Sequence, residues 1–299
     1  MLTVGVALVS GSQVFSSTHW LGIPLALLGA VFLSLGTICQ NRGVEDGQKR
    51  ETNFRVLVRR PVWLIGTALI GAAVVLQLTA LRFSPLMVIQ PIGAFALVVT
   101  ALVNAGRSRR LPGKWEITSI GLCLGGIGGF VAVAAFSAQD IEVDERHLLN
   151  VLILLACAVA AGLIVWVWVR HHPSAVASTV GAGILYGFVA TMAKSVIGRV
   201  VQGHLDWISL TGLVGMGIAF ALGASLVQKA YASGHEELVV AGLTVIDPLV
   251  AVTLGVAVLG EAANAPPAAF VGFLAAGATA IAGVWLMSTH KPETSPDSH

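Results

Sequence analysis

Residues Thr244–Gly260 read TVIDPLVAVTLGVAVLG, and Met87–Val103, 157 residues earlier, read MVIQPIGAFALVVTALV. In both stretches a polar side chain stands directly before a proline inside an apolar run: Asp247-Pro248 in the later one, Gln90-Pro91 in the earlier. Each run extends to about the twenty residues that an α-helix needs to cross ~30 Å of hydrocarbon. A proline inside such a helix offers no N–H to the preceding turn, and its ring crowds the carbonyl four residues back. Each run therefore predicts a membrane helix with a built-in irregularity.

Runs of this kind fill the chain. Apolar segments bounded by charges or turn residues lie near 20–40, 62–81, 86–103, 116–136, 148–169, 176–197, 208–228, 238–259 and 268–287, which makes about nine spans. The 299 residues are 56% hydrophobic and 11% charged, with a mean hydropathy of +0.86. A soluble domain carries roughly a quarter charged side chains, so a water-soluble globule is excluded and the fold class is an all-α polytopic membrane protein. The net charge of +2 does not suggest a nucleic-acid partner. Cys39, Cys123 and Cys157 all sit inside apolar runs without metal-ligand spacing and read as buried small hydrophobes.

The two proline-containing runs belong to a larger repeat. Gly29-Ala30 matches Gly181-Ala182 at an offset of 152, a register that places Arg42 on Lys194, and Gly121 and Gly126 fall on Gly272 and Gly277 at an offset of 151. The expected organisation is an N-terminal peripheral segment (1–19), a first four-helix repeat (20–136), a linking helix (148–169), a second repeat (176–287) and a cytoplasmic tail (288–299). One linking span makes the second copy enter the membrane from the opposite side, so the repeats are inverted. That is the common plan of secondary transporters, whose substrate sites lie near the midplane beside broken helices. Within the repeats, Gly121-x-x-x-Gly125, Gly125-x-x-x-Gly129 and Gly183-x-x-x-Gly187 predict faces for close helix packing.

Basic residues orient the bundle. The connections after odd-numbered spans, with the tail, hold Arg42, Lys49, Arg50, Arg55, Arg59, Arg60, Arg107, Arg109, Arg110, Lys114, Arg170, Lys229 and Lys291, whereas the other side holds Arg82, Arg146 and Arg199. By the positive-inside rule the chain is a multi-pass cell-membrane protein with its N-terminus outside and its C-terminus in the cytoplasm.

Six residues are candidates for substrate or ion binding. Asp247 lies about ten residues into its span, ~14 Å deep, where a carboxylate is costly unless it is protonated, paired or facing a water-filled cavity. Pro248 beside it frees a carbonyl that can meet a cation or a polar group. The alternative is a protonated acid used in packing. Gln90 and Pro91 are the first-copy partners, and Gln77, mid-span, adds an amide that serves equally as interhelical glue. Lys194 has two readings: a boundary cation mirroring Arg42 if the sixth span ends there, or an intramembrane group pairing with Asp247 or an anionic ligand if the span continues through Ile197. The acidic stretch Asp140, Glu142, Asp144, Glu145 and the pair His171-His172 read as solvated edges. No Walker A loop, G-x-S-x-G or His-Glu-x-x-His is present, so the reading is not an enzyme, with no cofactor and an unknown metal requirement.

Ala80-Leu81-Arg82-Phe83-Ser84-Pro85 leading into Val88–Gly93, and Val245-Ile246-Asp247-Pro248 running to Gly260-Glu261, resemble the drug/metabolite transporter (DMT) superfamily. Leu21-Gly22, Gly43, Trp63 and Gly66 make the chain similar to the EamA/NIPA-type branch. The resemblance implies duplicated helical halves and transport, with Mg²⁺ among the candidate cargoes. The stretch Gly71–Ala80 offers only Gln77 and Thr79 as polar side chains, where many of these relatives carry an acidic residue and an asparagine, and a divalent cation prefers carboxylates. The expected function is a secondary carrier of a small metabolite or cation working by alternating access. A flippase for an amphiphilic or lipid-linked substrate and a non-transporting membrane scaffold are the alternatives. The expected partners are the lipid bilayer and a small-molecule or ion substrate, in a chain free to oligomerise.

Overall fold

A computed structural model describes residues 19–45, 60–107, 114–138, 141, 143–169, 175–232 and 236–289. They form helices α1 (Gly22–Glu45), α2 (Pro61–Phe83), α3 (Leu86–Gly93), α4 (Phe95–Arg107), α5 (Lys114–Ser137), α6 (Glu145–Val169), α7 (Ala175–Val201), α8 (Trp207–Ala232), α9 (Glu236–Leu254) and α10 (Pro267–Thr289). A single 3₁₀ turn, His19–Leu21, precedes α1. Among the described residues nine segments are long and apolar enough to cross a membrane, at Gly22–Gly43, Pro61–Phe83, Leu86–Val103, Ile117–Ser137, Glu145–Ile164, Ala175–Val201, Trp207–Ala232, Gly242–Leu259 and Pro267–Leu286. The chain is a multi-pass helical membrane protein whose spans follow the sequence reading to within a few residues. The expected peripheral segment up to residue 18, most of the basic connection 42–60, Asp140, Glu142, His171-His172 and the tail beyond residue 289 lie outside the described residues.

The third span is α3 and α4 in series. Pro91 cannot donate to the carbonyl of Met87, and two residues later Gly93, with open space where a side chain would stand, lets the helix reset. The Ala94 N–H then bonds Pro91 O at 3.2 Å and the Leu97 N–H bonds Ala94 O at 3.1 Å. The eighth span corrects the expectation of a break at Pro248, because α9 runs through that proline without interruption. Its irregularity comes seven residues later, as a π turn over Gly255–Leu259 that Gly260 ends in the left-handed conformation. Around Pro248 α9 packs closely on α7: a Cβ at Gly183 would come within 2.7 Å of Ile246, and one at Gly187 within 2.7 Å of Val250.

Helices in lipid gain little from burying apolar surface, so close backbone approach and interhelical hydrogen bonds hold them together. Gly36 and Gly66 bring α1 and α2 together: a Cβ on either would stand 2.8–2.9 Å from the other's carbonyl oxygen. Gln40 Nε2 donates to Thr67 Oγ1 across the same pair, and Ser34 shares a 2.8 Å hydrogen bond with Thr100 of α4. The Gly121 and Gly125 face of α5 looks into open space, contrary to the spacing argument, while Gly126 lies directly against Ala280 of α10. Cys123 is buried, Cys39 half-buried and Cys157 exposed, so the reading of all three cysteines as buried holds in full for Cys123 alone.

Pairing follows the same order in both halves. The first span packs most closely on the second and also on the third, and the sixth packs on the seventh and eighth. Across the halves the third span meets the eighth, and the fourth meets the ninth extensively. The connections around Ser84, Val143, His204 and Glu261 share one end of the bundle, which we call the Glu261 end. A Cβ at Gly260 would stand 3.3 Å from Ile141, and one at Gly198 would stand 3.3 Å from Val143. The opposite end carries the basic connections.

Candidate functional site

The sixth span does not stop at Lys194. Helix α7 continues to Val201, where Gly203 in the left-handed conformation turns the chain: the His204 N–H bonds Arg199 O and the Gly203 N–H bonds Val200 O. Lys194 therefore stands about two turns before the end of α7 and is 5% exposed, so the expectation that the sixth span ends at it is corrected. Its Nζ donates to Leu81 O at 2.9 Å and to Ser84 O at 3.0 Å, the carbonyls that close α2. Helix C-termini leave carbonyls without intrahelical partners and carry partial negative charge, which an ammonium satisfies on both counts.

One residue further along the chain, at Pro85, the polarity reverses. The first amides of α3 lack partners, and Glu261 Oε1 accepts the Leu86 N–H at 2.7 Å while Oε2 accepts the Met87 N–H at 2.9 Å. Glu261 is 1% exposed. Its approach depends on Gly255, because a Cβ there would stand 2.9 Å from Oε2, and on Gly260, whose positive φ of 75° turns the chain back after the π turn. The run from Ser84 to Gln90 is buried throughout, so the turn between the second and third spans is packed inside this end of the bundle.

Asp247 stands in contrast. Its Oδ1 is buried and has no hydrogen-bond partner among the described residues. Its backbone lies against α7, with its amide nitrogen 3.5 Å from a Cβ built at Gly183, and Tyr186 of the same helix lies within electrostatic range of its carboxylate. The expected alternative of a carboxylate bonded to Lys194 is not what this oxygen does.

Pro91 and Pro248 come together. Both line a cavity of about 100 Å³ between the third, fourth, eighth and ninth spans, with Phe130, Thr244, Ala280 and Val284 among its other described walls. The walls are almost wholly apolar. Pro91 lies five residues below the start of α3, ~8 Å by helical rise, while Thr244 and Val284 lie near the opposite ends of their spans. The cavity thus runs from mid-membrane toward the basic end. Gln90 is buried at 8% exposure, Gln77 is half-buried on α2, and neither they nor Asp247 or Lys194 are among the described lining residues.

Three residues important to this geometry escape a reading of charges and prolines: Glu261, Tyr186 and Thr244. Glu261 directly follows an apolar run, a place where a carboxylate normally reads as solvated. The available signal is the absence of any acidic residue in the first turn of α3, which leaves its amides to be capped from elsewhere.

With this architecture, the protein belongs to the class of polytopic helical membrane proteins that hold a cavity between proline-containing spans. No family model matches the chain, and no solved structure matches it. It is similar to an uncharacterized protein of Corynebacterium glutamicum (strain ATCC 13032), 27% identical over 262 residues that cover 82% of this chain and 86% of that one.

Proposed function

We propose that the protein is a secondary carrier of the drug/metabolite transporter type, moving a small metabolite or cation by alternating access of two inverted four-helix halves joined by the fifth span. The observation that carries this reading is the cavity between Pro91 and Pro248, which extends toward the basic end and has the buried 84–90 run on its Glu261 side. Proline-disrupted spans near the midplane are where carriers place their sites. Asp247, on the helix that carries Pro248, supplies a buried carboxylate oxygen that no described protein group satisfies, as a coupling ion or cationic substrate requires. Pro248 leaves the carbonyl of Thr244 without its helical donor in the cavity wall. In this reading the Glu261 end faces outside and both the basic end and the C-terminus face the cytoplasm.

The apolar walls favour a second reading within transport, an amphiphilic or lipid-linked substrate whose alkyl part occupies the cavity. A divalent cargo such as Mg²⁺ finds less support. Among the described residues no three His, Cys, Asp or Glu side chains cluster to hold a metal ion.

The test is uptake by proteoliposomes containing the purified protein against a panel of radiolabelled amines, organic acids, divalent cations and short-chain lipids. At least one solute should accumulate, and Asp247→Asn should abolish its coupled uptake while leaving the protein inserted and monodisperse. Wild-type rates with unchanged pH dependence in that variant remove Asp247 from the mechanism.

A further inference from the structure

The turn that joins the second and third spans belongs to the first half of the chain, yet both groups that satisfy its helix ends come from the second half. Lys194 of α7 caps the carbonyls of Leu81 and Ser84, and Glu261, following α9, caps the amides of Leu86 and Met87. The four bonds measure 2.7–3.0 Å, and Lys194 and Glu261 are 5% and 1% exposed, so charge-assisted hydrogen bonds in a dry site bridge the two halves. We propose that Lys194 and Glu261 form a latch that holds the Glu261 end shut, and that this pair must release the 81–87 turn for the path to open on that side. This deepens the carrier reading and rests on it.

Two further observations place the latch at one end alone. In the register of the repeat, Glu261 falls on Asn104, which has no carboxylate, and Lys194 falls on Arg42, whose Nε is buried without a hydrogen-bond partner among the described residues. The basic end, where Arg60 Nη1 donates to Gly43 O at 3.0 Å, therefore lacks the matching pair of caps among the described residues. It is also the end toward which the cavity extends. A rocking motion that parts the halves at the Glu261 end must leave two carbonyls and two amides without their charged partners, so the latched state is favoured until something else supplies the difference.

The experiment uses the full chain with Cys39, Cys123 and Cys157 replaced by Ser and a reporter, Ala94→Cys, in the cavity wall. A membrane-impermeant methanethiosulfonate is added from either side of oriented vesicles. The Leu205→Cys chain, labelled at the Glu261 end, fixes which side is which. With the latch intact the reporter should react slowly from the Glu261 end and faster from the basic end. In Glu261→Gln and in Lys194→Gln the rate from the Glu261 end should rise about tenfold, the shift expected when charge-assisted caps are lost. The rate from the basic end should fall. A merely loosened bundle raises both rates, and that outcome overturns the proposal, as does an unchanged rate from the Glu261 end. If Glu261→Gln does not insert, Glu261→Asp replaces it: still an anion but one methylene shorter, it should give an intermediate rise, and no rise overturns the latch. The labelling needs no substrate. Reciprocal labelling in a protein that carries no solute supports the latch and defeats the carrier, whereas solute uptake that Asp247→Asn blocks, with labelling unmoved by either latch variant, defeats the latch and leaves the carrier standing.

Discussion

Glu261 and Met87 are 174 residues apart in the chain, and the Glu261 carboxylate accepts the Met87 amide at 2.9 Å. The bond joins the end of the eighth span to the start of the third, the two spans that contain Pro248 and Pro91. The same carboxylate takes the Leu86 amide through its other oxygen, so one side chain organises the first turn of α3.

Replacing that side chain leaves two buried amides with no acceptor. Glu261→Ala should therefore lose about 2–3 kcal/mol of stability. Glu261→Gln, which retains one acceptor oxygen, should lose roughly half as much. Thermal unfolding of the detergent-solubilised variants measures the difference, and equal midpoints for the Ala variant and wild type contradict the capping role.

Glycines that the sequence treats alike should respond differently. Gly187→Val pushes a side chain into Val250, and Gly126→Val forces one into the Ala280 backbone, so each should cost about 1–3 kcal/mol or prevent insertion. Gly121→Ala and Gly125→Ala meet open space and gain helix propensity, so they should be neutral or stabilising by up to about 1 kcal/mol. Midpoints of the four single variants separate the two groups.

The connection between α7 and α8 should report acid. The Ser209 amide and hydroxyl, followed by the Arg199 guanidinium, hold the Asp206 carboxyl below the ordinary carboxylate range. A carboxyl whose folded value is depressed contributes stability above its unfolded value, near ~3.9, and loses it as the pH falls through the folded value. Asp206→Asn should therefore lie below wild type in unfolding midpoint at neutral pH, and the gap should close as the pH drops below about 4. A gap that stays constant across that range removes Asp206 as its source.

Orientation is tested at two exposed positions on opposite ends. Leu205→Cys, 75% exposed beside α8, should react with an impermeant thiol reagent added to intact cells, and Lys229→Cys, exposed in the last turn of α8, should not. The reverse pattern places the basic end outside and overturns the positive-inside argument.

The nine spans were legible in the chain because hydrocarbon acts on each segment locally. A run of about twenty apolar residues satisfies its own backbone hydrogen bonds and needs no partner to declare itself. The third span is interrupted at Ala94, three residues after Pro91, and the Gly183 and Gly187 contact followed from spacing. The partners of charged groups were not legible. Lys194 was open to two readings because its place in the bilayer depends on where α7 stops, and Gly203 turns the chain only after α7 has run past Ile197 to Val201. Pro248 did not break α9, which packs closely on α7 there, and the irregularity of that span stands at Gly255–Leu259. Glu261 resembled a solvated span end, and tertiary packing alone carried it to the amides of Leu86 and Met87. Composition and periodicity determine what a segment does against lipid, since lipid is the same everywhere along the chain. Which helix ends a buried charge satisfies depends on contacts between segments more than a hundred residues apart, and a single sequence holds no local signal for those.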